Sequence, residues 1–108
     1  MSFEVLTTSG FKRDSKSLLK KYKSLKSELL ELIASLKEDP TQGTPLGNDC
    51  YKIRLAIASK GKGKSGGARV ITCVKVVDGL VYLLTIYSKS DKENISDKEL
   101  QNLLEGLE

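Results

Sequence analysis

Two β-rich segments joined by an Asp-Gly pair constrain the fold of this chain more than any other feature. The segments are Ala68–Val77 and Leu80–Tyr87, and Asp78-Gly79 lies between them. Asp-Gly between two such segments is the strongest short-range signal for a hairpin with a two-residue type I′ turn. The sequence therefore predicts that the two segments form adjacent antiparallel strands.

The predicted turn also fixes which residues of the hairpin lie opposite each other. It sets three cross-strand pairs: Val77 with Leu80, Cys73 with Leu84, and Val70 with Tyr87. Successive side chains of a strand alternate between the two faces of a sheet. Arg69 and Tyr87 are therefore expected on opposite faces unless a bulge intervenes.

Hydrophobic spacing and capping residues predict the remaining elements. Alternating apolar residues indicate strands, and apolar residues three or four positions apart indicate helices. Ser96 and Glu99 have the spacing of a capping box, and the turn formers of Asp39–Asp49 predict a loop. The predicted strands are Phe3–Thr8 and Tyr51–Ala58, and the predicted helices are Phe11–Lys21, a second from about Leu25 to Lys37, and a third after Ser96.

These elements define an α+β fold with the order β-α-α-β-β-β-α. The two leucine-rich helices are expected to form a helical hairpin that packs on one face of a small, mainly antiparallel sheet, with all the helices on that face. A chain of 108 residues is expected to form a single domain spanning residues 1–108.

The connection before the hairpin carries a concentrated positive charge. Ser59–Arg69 reads SKGKGKSGGAR, and no Asp or Glu occurs between Cys50 and Val77. The basic residues of that stretch are Lys52, Arg54, Lys60, Lys62, Lys64, Arg69 and Lys75. A glycine-rich loop with one sign of charge suits phosphate, most simply a nucleic-acid backbone. A solvated connection that keeps a sheet edge soluble is the alternative.

The composition excludes several chemistries. The chain has no histidine, and its two cysteines, Cys50 and Cys73, lie in no metal-ligand spacing. A zinc site and a Cys–His nucleophile are therefore excluded, and neither metal nor cofactor is expected. Both cysteines are interpreted as buried, reduced thiols. The absence of a signal peptide and of a long apolar run predicts a cytoplasmic protein with no membrane contact.

The ordered set of motifs resembles the RelE/ParE superfamily, the toxins of bacterial type II toxin–antitoxin modules. The resemblance is carried by the Lys-rich helical hairpin, by YKIRLAIASKGKGKSGGARVIT and by YLLTIYSKSDKENIS, and it is strongest to the HigB-type, RelE-like branch. It implies the RelE-like fold and an endoribonuclease that cuts mRNA in the ribosomal A site. It also implies a cognate antitoxin that neutralises the toxin, and contact with operator DNA only through that antitoxin.

The resemblance also implies roles for individual residues. Arg69 matches the arginine that opens the strand after the loop, and Lys62 and Lys64 match active-site lysines. Lys89 and Lys92 match basic residues at the exit of the last strand, and Lys89 is included among the expected catalytic residues. With Tyr87, which is expected to stack on a base or orient the RNA, Arg69, Lys62, Lys64 and Lys89 form the predicted catalytic set. The predicted RNA-binding residues are Lys52, Arg54, Lys60 and Lys92.

The chain departs from the strongest family sites. No aromatic residue follows Tyr87, and the His–Glu pair of other relatives is absent. The RNA 2′-hydroxyl is the expected nucleophile, and proton transfer is expected from lysine, tyrosine, a carboxylate or the ribosome.

Three functions remain open from the sequence alone. The first is a ribosome-dependent mRNA endoribonuclease. The second is a ParE-like toxin that poisons DNA gyrase without cutting RNA, and the third is a non-catalytic nucleic-acid-binding module. For single residues, Arg69 can also be a structural partner of an acid such as Asp91, and Tyr87 can be packing within the sheet.

Overall fold

The computed structural model describes residues 2–60 and 66–107, which form a mixed sheet and helices on both of its faces. Along the chain the elements are β1 (Glu4–Thr7), α1 (Ser9–Lys21), α2 (Leu25–Glu38), β2 (Thr44–Gly47), β3 (Cys50–Leu55), a 3-10 turn (Ala58–Lys60), β4 (Ala68–Lys75), β5 (Leu80–Ser88) and α3 (Asp97–Glu105). The strand order is β1-β5-β4-β3-β2. Among these strands, only β1 pairs in parallel. The predicted α+β class and the predicted helical hairpin are confirmed. None of the helices described is long and apolar enough to span a bilayer.

The segment predicted as the loop Asp39–Asp49 contains a strand. Within it, β2 pairs antiparallel with β3. Asn48 and Asp49 form the connecting turn, with φ of 55° and 62°. Asn and Asp tolerate this left-handed conformation better than other non-glycine residues. The turn formers therefore mark a hairpin, and Pro45 is accommodated because β2 lies at the edge of the sheet.

The helical hairpin covers one face of the sheet. It contributes an apolar stripe of buried residues: Phe11, Leu18, Leu25, Leu29, Leu32 and Leu36. The strands meet this stripe with every second side chain, including Ile53, Val70 and Ile86. This is the main core of the described part of the chain, and burial of these side chains is its principal stabilising contribution.

The third helix packs on the opposite face, so the prediction that all helices share one face is wrong. Leu100 of α3 is buried in a second cluster with Ile71, Leu84 and Tyr87. These strand residues are apolar and point away from the helical hairpin. They require a second cover, and the short amphipathic α3 supplies it.

The predicted register of the central hairpin is also wrong. Lys75, rather than Val77, pairs with Leu80, and the loop is four residues long. The Asp78 amide donates to the Lys75 carbonyl at 3.1 Å, and Gly79 takes a φ of 67°. Val76 and Val77 are consequently 65% and 100% exposed rather than paired.

A one-residue bulge in β5 then changes the register a second time. Thr72 lies opposite Leu83, whereas Ile71 lies opposite Thr85. The longer loop shifts the register by two residues, which leaves every side chain on its predicted face. The bulge at Leu84 shifts it by one residue, which reverses the faces. Beyond the bulge, Arg69 lies directly opposite Tyr87.

Candidate functional site

Three predicted site residues form one row across three adjacent strands. Arg54 of β3 pairs with Arg69 of β4, and Arg69 pairs with Tyr87 of β5. Directly opposed side chains project from the same face of a sheet. The row lies on the face that α3 partly covers, and it places two guanidinium groups and a phenol side by side. The sequence predicted Arg69 and Tyr87 on opposite faces unless a bulge intervened. The bulge is present, and the two side chains lie on the same face.

Arg69 is the most deeply buried member of this row. It is 3% exposed, whereas Arg54 is exposed to solvent. One of its terminal nitrogens, Nη1, donates to the Ala68 carbonyl at 3.1 Å, which fixes part of the guanidinium against its own strand. The charge of Arg69 opposes the rise that burial causes in the pKa of Tyr87. It also adds to the lowering of the Glu93 pKa by Lys89. Arg69 therefore interacts electrostatically with β5, which carries Tyr87, and with the segment after β5, which carries Glu93.

Tyr87 is a protonated phenol at neutral pH. Burial raises its pKa above the ordinary value, and the Glu99 carboxylate raises it further. Arg69 and the backbone at Ile95 oppose this rise. The hydroxyl is buried and forms no hydrogen bond of ordinary geometry with the described residues. The Tyr87 hydroxyl is therefore a protonated donor with no acceptor among the described residues.

Both predicted lysines after β5 belong to the exit segment (residues 89–96) and are ion-paired. Lys89 Nζ lies 3.0 Å from Glu93 Oε1, and Lys92 pairs with Glu99. Lys92 Nζ also lies 5.1 Å from the centroid of the Tyr87 ring, a cation–π distance. Solvent-exposed pairs of this kind contribute little to stability. A phosphate can therefore compete with the carboxylates for these cations.

The structure places Lys52 beside the row, whereas the contacts of Lys60 lie on the other face of the sheet, which the helical hairpin covers. Lys52 lies two residues before Arg54 on the same face of β3, and its Nζ donates to Asn94 Oδ1 at 3.0 Å. Lys60 Nζ donates to Ser88 Oγ at 2.8 Å and lies 5.6 Å from the Tyr22 ring centroid. Lys60 is therefore anchored to the body of the protein. The predicted site residues Lys62 and Lys64 lie outside the described residues.

A cleft that the sequence analysis missed adjoins the row. It has a volume of about 320 Å³ and lies between α1 and the end of β5, with Tyr87, Asp91 and Lys92 on one side and Arg13 on the other. Its floor is fixed by Thr85, whose hydroxyl donates to Asp14 Oδ2 at 2.6 Å. The sequence signal for it is the basic character of the first helix, which includes Arg13.

The family model described as "RelE toxin of RelE / RelB toxin-antitoxin system" matches residues 5–106. The chain belongs to the RelE toxin family. Among solved structures, a double arginine-to-alanine mutant of the E. coli toxin RelE in the free state is similar, with a TM-score of 0.64 and 16% identity over the full length of both chains. The RelE fold is therefore shared at low sequence identity. The resemblance to toxins of toxin–antitoxin modules is confirmed, and the HigB-type branch stays a prediction.

Membership of the RelE family indicates what kind of protein carries this row of side chains. The protein is a toxin of a toxin–antitoxin module, and Lys52, Arg54 and Arg69 lie on one face of its sheet. Among residues 2–60 and 66–107, no three metal-ligating side chains come together. The functional groups that the described residues bring together are guanidinium, ammonium, carboxylate and phenol.

Proposed function

We propose that this RelE-family toxin is a ribosome-dependent endoribonuclease that cuts mRNA through attack by the RNA 2′-hydroxyl. The observation that carries the proposal is the row of Arg54, Arg69 and Tyr87 on one face of the sheet. Lys52 lies on the same face, and Lys92 lies over the Tyr87 ring. A phosphate bound beside this row would be attracted by the charges of both arginines.

The reaction needs no external nucleophile. The ribose 2′-oxygen forms a bond to the adjacent phosphorus, and the bond from phosphorus to the 5′-oxygen breaks with its electron pair leaving on that oxygen. The products are a 2′,3′-cyclic phosphate and a 5′-hydroxyl end. One proton leaves the 2′-hydroxyl and one reaches the 5′-oxygen, so the step balances without a cofactor. The pentavalent transition state carries additional negative charge on the non-bridging oxygens.

Arg69 is assigned to those non-bridging oxygens. A guanidinium keeps its charge at any physiological pH and presents paired N–H donors in a plane that matches two phosphate oxygens. Its burial is an advantage, because a fixed donor in a water-poor site stabilises developing charge more than a mobile exposed one. Arg54 and Lys52, which are more exposed, are assigned to the flanking phosphates of the strand.

Tyr87 and the lysines are assigned to proton transfer and orientation. Because its pKa is raised, Tyr87 keeps its proton and can donate to the phosphate or to the leaving 5′-oxygen. A lysine is the proposed base. The candidates are Lys62, Lys64 and Lys89, with the ribosome as the other source of a proton acceptor.

The proposed partners follow from the same charges. A cognate antitoxin is expected to place acidic side chains on the row and on Lys62 and Lys64, and operator DNA is expected to be reached only through that antitoxin. The proposed compartment is the cytoplasm, where the ribosome and mRNA are found. Affinity for the antitoxin should fall as salt is raised from about 0.05 to 0.5 M. Salt-independent affinity would contradict this acidic contact.

Mapping of RNA 5′ ends tests the function. Wild type, Arg69→Gln and the control Lys26→Gln, an exposed lysine on α2, are expressed from an inducible promoter. New 5′ ends within translated mRNA, shared by wild type and the control and absent from Arg69→Gln, are expected. Growth arrest with a DNA-damage response and no new ends would instead identify a gyrase poison. Nucleic-acid binding without growth arrest would identify a non-catalytic module.

A further inference from the structure

The two cysteines of the chain face each other across adjacent strands. Cys50 of β3 lies opposite Cys73 of β4. The Val74 amide donates to the Asp49 carbonyl at 2.9 Å, which makes the cysteines a non-hydrogen-bonded pair. Such pairs have Cα atoms about 4.5 Å apart and the closest side chains of an antiparallel ladder. A disulfide needs about 4.4–6.8 Å between Cα atoms, so the backbone is already suited to one.

The side chains of the two cysteines converge on one carbonyl oxygen. Cys50 Sγ lies 3.5 Å from the Asn48 oxygen, and Cys73 Sγ lies 4.0 Å from the same atom. The left-handed conformations of Asn48 and Asp49 turn the chain so that this carbonyl reaches both thiols. The two sulfur atoms are therefore held on the same side of the ladder and close to each other.

The two thiols are also chemically unequal. A hydrogen bond from Cys50 lowers the pKa of Cys73, with Lys75 adding to the effect and burial opposing it. The same hydrogen bond, together with burial, raises the pKa of Cys50. Cys73 is therefore the more easily deprotonated of the two thiols. This assigns Cys73 as the nucleophilic cysteine and Cys50 as the resolving cysteine.

We propose that Cys50 and Cys73 form a redox-modification site that closes to a cross-strand disulfide when the folded protein meets a peroxide. The Cys73 sulfur attacks a peroxide oxygen, the O–O bond breaks, and a sulfenic acid and one water form. The Cys50 sulfur then attacks the Cys73 sulfur, the S–O bond breaks, and a second water leaves. Two thiols lose two electrons and the peroxide gains them, so no other reactant is needed.

Access to the pair is controlled by the cover on this face of the sheet. Cys50 and Cys73 are 1% and 0% exposed, and they belong to the same apolar cluster as Leu100 of α3. Leu104 and Leu107, which pack against that cluster, are only partly buried. Peroxide therefore reaches the thiols when this short helix opens, and the opening sets the rate of oxidation.

The bridge would join the two strands that carry Lys52, Arg54 and Arg69. It would also close a chain segment that includes the Gly/Lys loop, which lowers the conformational entropy of the unfolded state. Oxidation is expected to raise the melting temperature by roughly 10 °C. In a reducing compartment the thiols stay reduced at rest, so the bridge would form only under oxidative load.

The test treats purified protein with hydrogen peroxide, removes the peroxide, and alkylates the remaining thiols under denaturing conditions before mass spectrometry. Wild type is expected to form no disulfide between molecules, to lose two hydrogen atoms in mass and to take up no alkylating agent. Cys50→Ser and Cys73→Ser, which cannot form the internal bridge, are the controls. Two alkylated thiols in treated wild type, or a bridge between two molecules only, would overturn the proposal.

A second variant tests whether α3 limits the access of peroxide to the two thiols. Leu100→Ala removes apolar contact under α3 and leaves both thiols in place, so its rate of bridge formation is expected to rise several-fold over wild type. An unchanged rate would overturn the role of α3 as the cover. Neither measurement uses RNA cleavage, so the outcome is independent of the proposed function.

Discussion

Arg69 of β4 lies directly opposite Tyr87 of β5, and the extra residue Leu84 is the reason. Without the bulge, the same hairpin would place the guanidinium and the phenol on opposite faces of the sheet. The charge of Arg69 and the burial of Tyr87 act in opposite directions on the pKa of the phenol. The two side chains therefore form one electrostatic unit, in which burial has the larger effect and keeps the tyrosine protonated.

Arg69→Lys and Arg69→Gln are expected to differ in activity. Lysine keeps the positive charge but loses the paired donors, whereas glutamine loses both. Removing a donor to a developing oxyanion lowers rates by about 100- to 1,000-fold. We expect a loss in that range for Arg69→Gln and a smaller loss for Arg69→Lys, measured as cleavage of a ribosome-bound message.

Because Arg69 is buried, the melting temperature of each variant is measured alongside its activity. Lys26→Gln on α2 serves as the charge-matched control, since it removes one exposed cation far along the chain from the row. An Arg69→Gln variant that melts like wild type and cuts mRNA at the wild-type rate would exclude Arg69 from catalysis.

The raised pKa of Tyr87 predicts a loss of stability in alkaline solution. A tyrosine in the unfolded chain ionises at about pH 10, whereas the folded protein resists ionisation of Tyr87. Its contribution to stability is therefore complete below about pH 10 and is lost as pH rises through the raised pKa. The free energy of unfolding, measured between about pH 9 and 11, should fall more steeply in wild type than in Tyr87→Phe. Parallel curves would show that Tyr87 does not have a raised pKa.

The capping box of α3 predicts that the helix depends on one serine. The Ser96 hydroxyl accepts from the Glu99 amide at 3.1 Å, and the Glu99 carboxylate accepts from the Ser96 amide at the same distance. Ser96→Ala should lower the free energy of unfolding by about 1 kcal/mol. Urea denaturation measures this loss, with the exposed Ser90→Ala as the control. Equal midpoints for the two variants would show that the cap does not stabilise α3.

Gly67 is required by a close approach between β3 and β4. A Cβ at this position would lie 2.1 Å from the Leu55 carbonyl oxygen and 3.1 Å from the Ala56 Cα, both backbone atoms that cannot yield easily. Gly67→Ala should destabilise the protein by about 1–3 kcal/mol. At Gly106 the nearest atom would lie at 3.4 Å, so Gly106→Ala is the control and should change stability by under about 0.5 kcal/mol. The melting temperatures of the two variants are measured by thermal unfolding. Similar values would contradict the close approach of the strands at Gly67.

The sequence predicts elements better than it predicts how they meet. The strands around Asp78-Gly79 are identifiable because apolar β-formers flank a turn signal. Leu84 gives no sign of a bulge, because it is as apolar as its neighbours and the extra residue is specified by packing on both faces. The face taken by α3 is set by Ile71 and Tyr87, and the orientation of Tyr87 depends on that same bulge. β2 was missed because Pro45 and Gly47 are typical of loops.

The candidate site, like the fold, could be predicted only in part from the sequence. The charge pattern correctly directs attention to one part of the chain, but the contacts of each lysine depend on the tertiary structure. Lys60 is held by Ser88, and Lys52 by Asn94, through hydrogen bonds between residues far apart in sequence. In contrast, the position of Arg54 opposite Arg69 follows from the register of β3 and β4 alone. The roles of these residues, and of Lys62 and Lys64, stay predictions.

The chemistry of the cut tests the central proposal most directly. A message is mapped for its cleavage position, and a second copy is made with a single 2′-deoxynucleotide on the 5′ side of that position. Both are bound to ribosomes and treated with purified protein. The ribose message should be cut to a 2′,3′-cyclic phosphate and a 5′-hydroxyl end, and the deoxy message should stay intact. Cleavage of the deoxy message at the same position would contradict the mechanism proposed for Arg69 and its row.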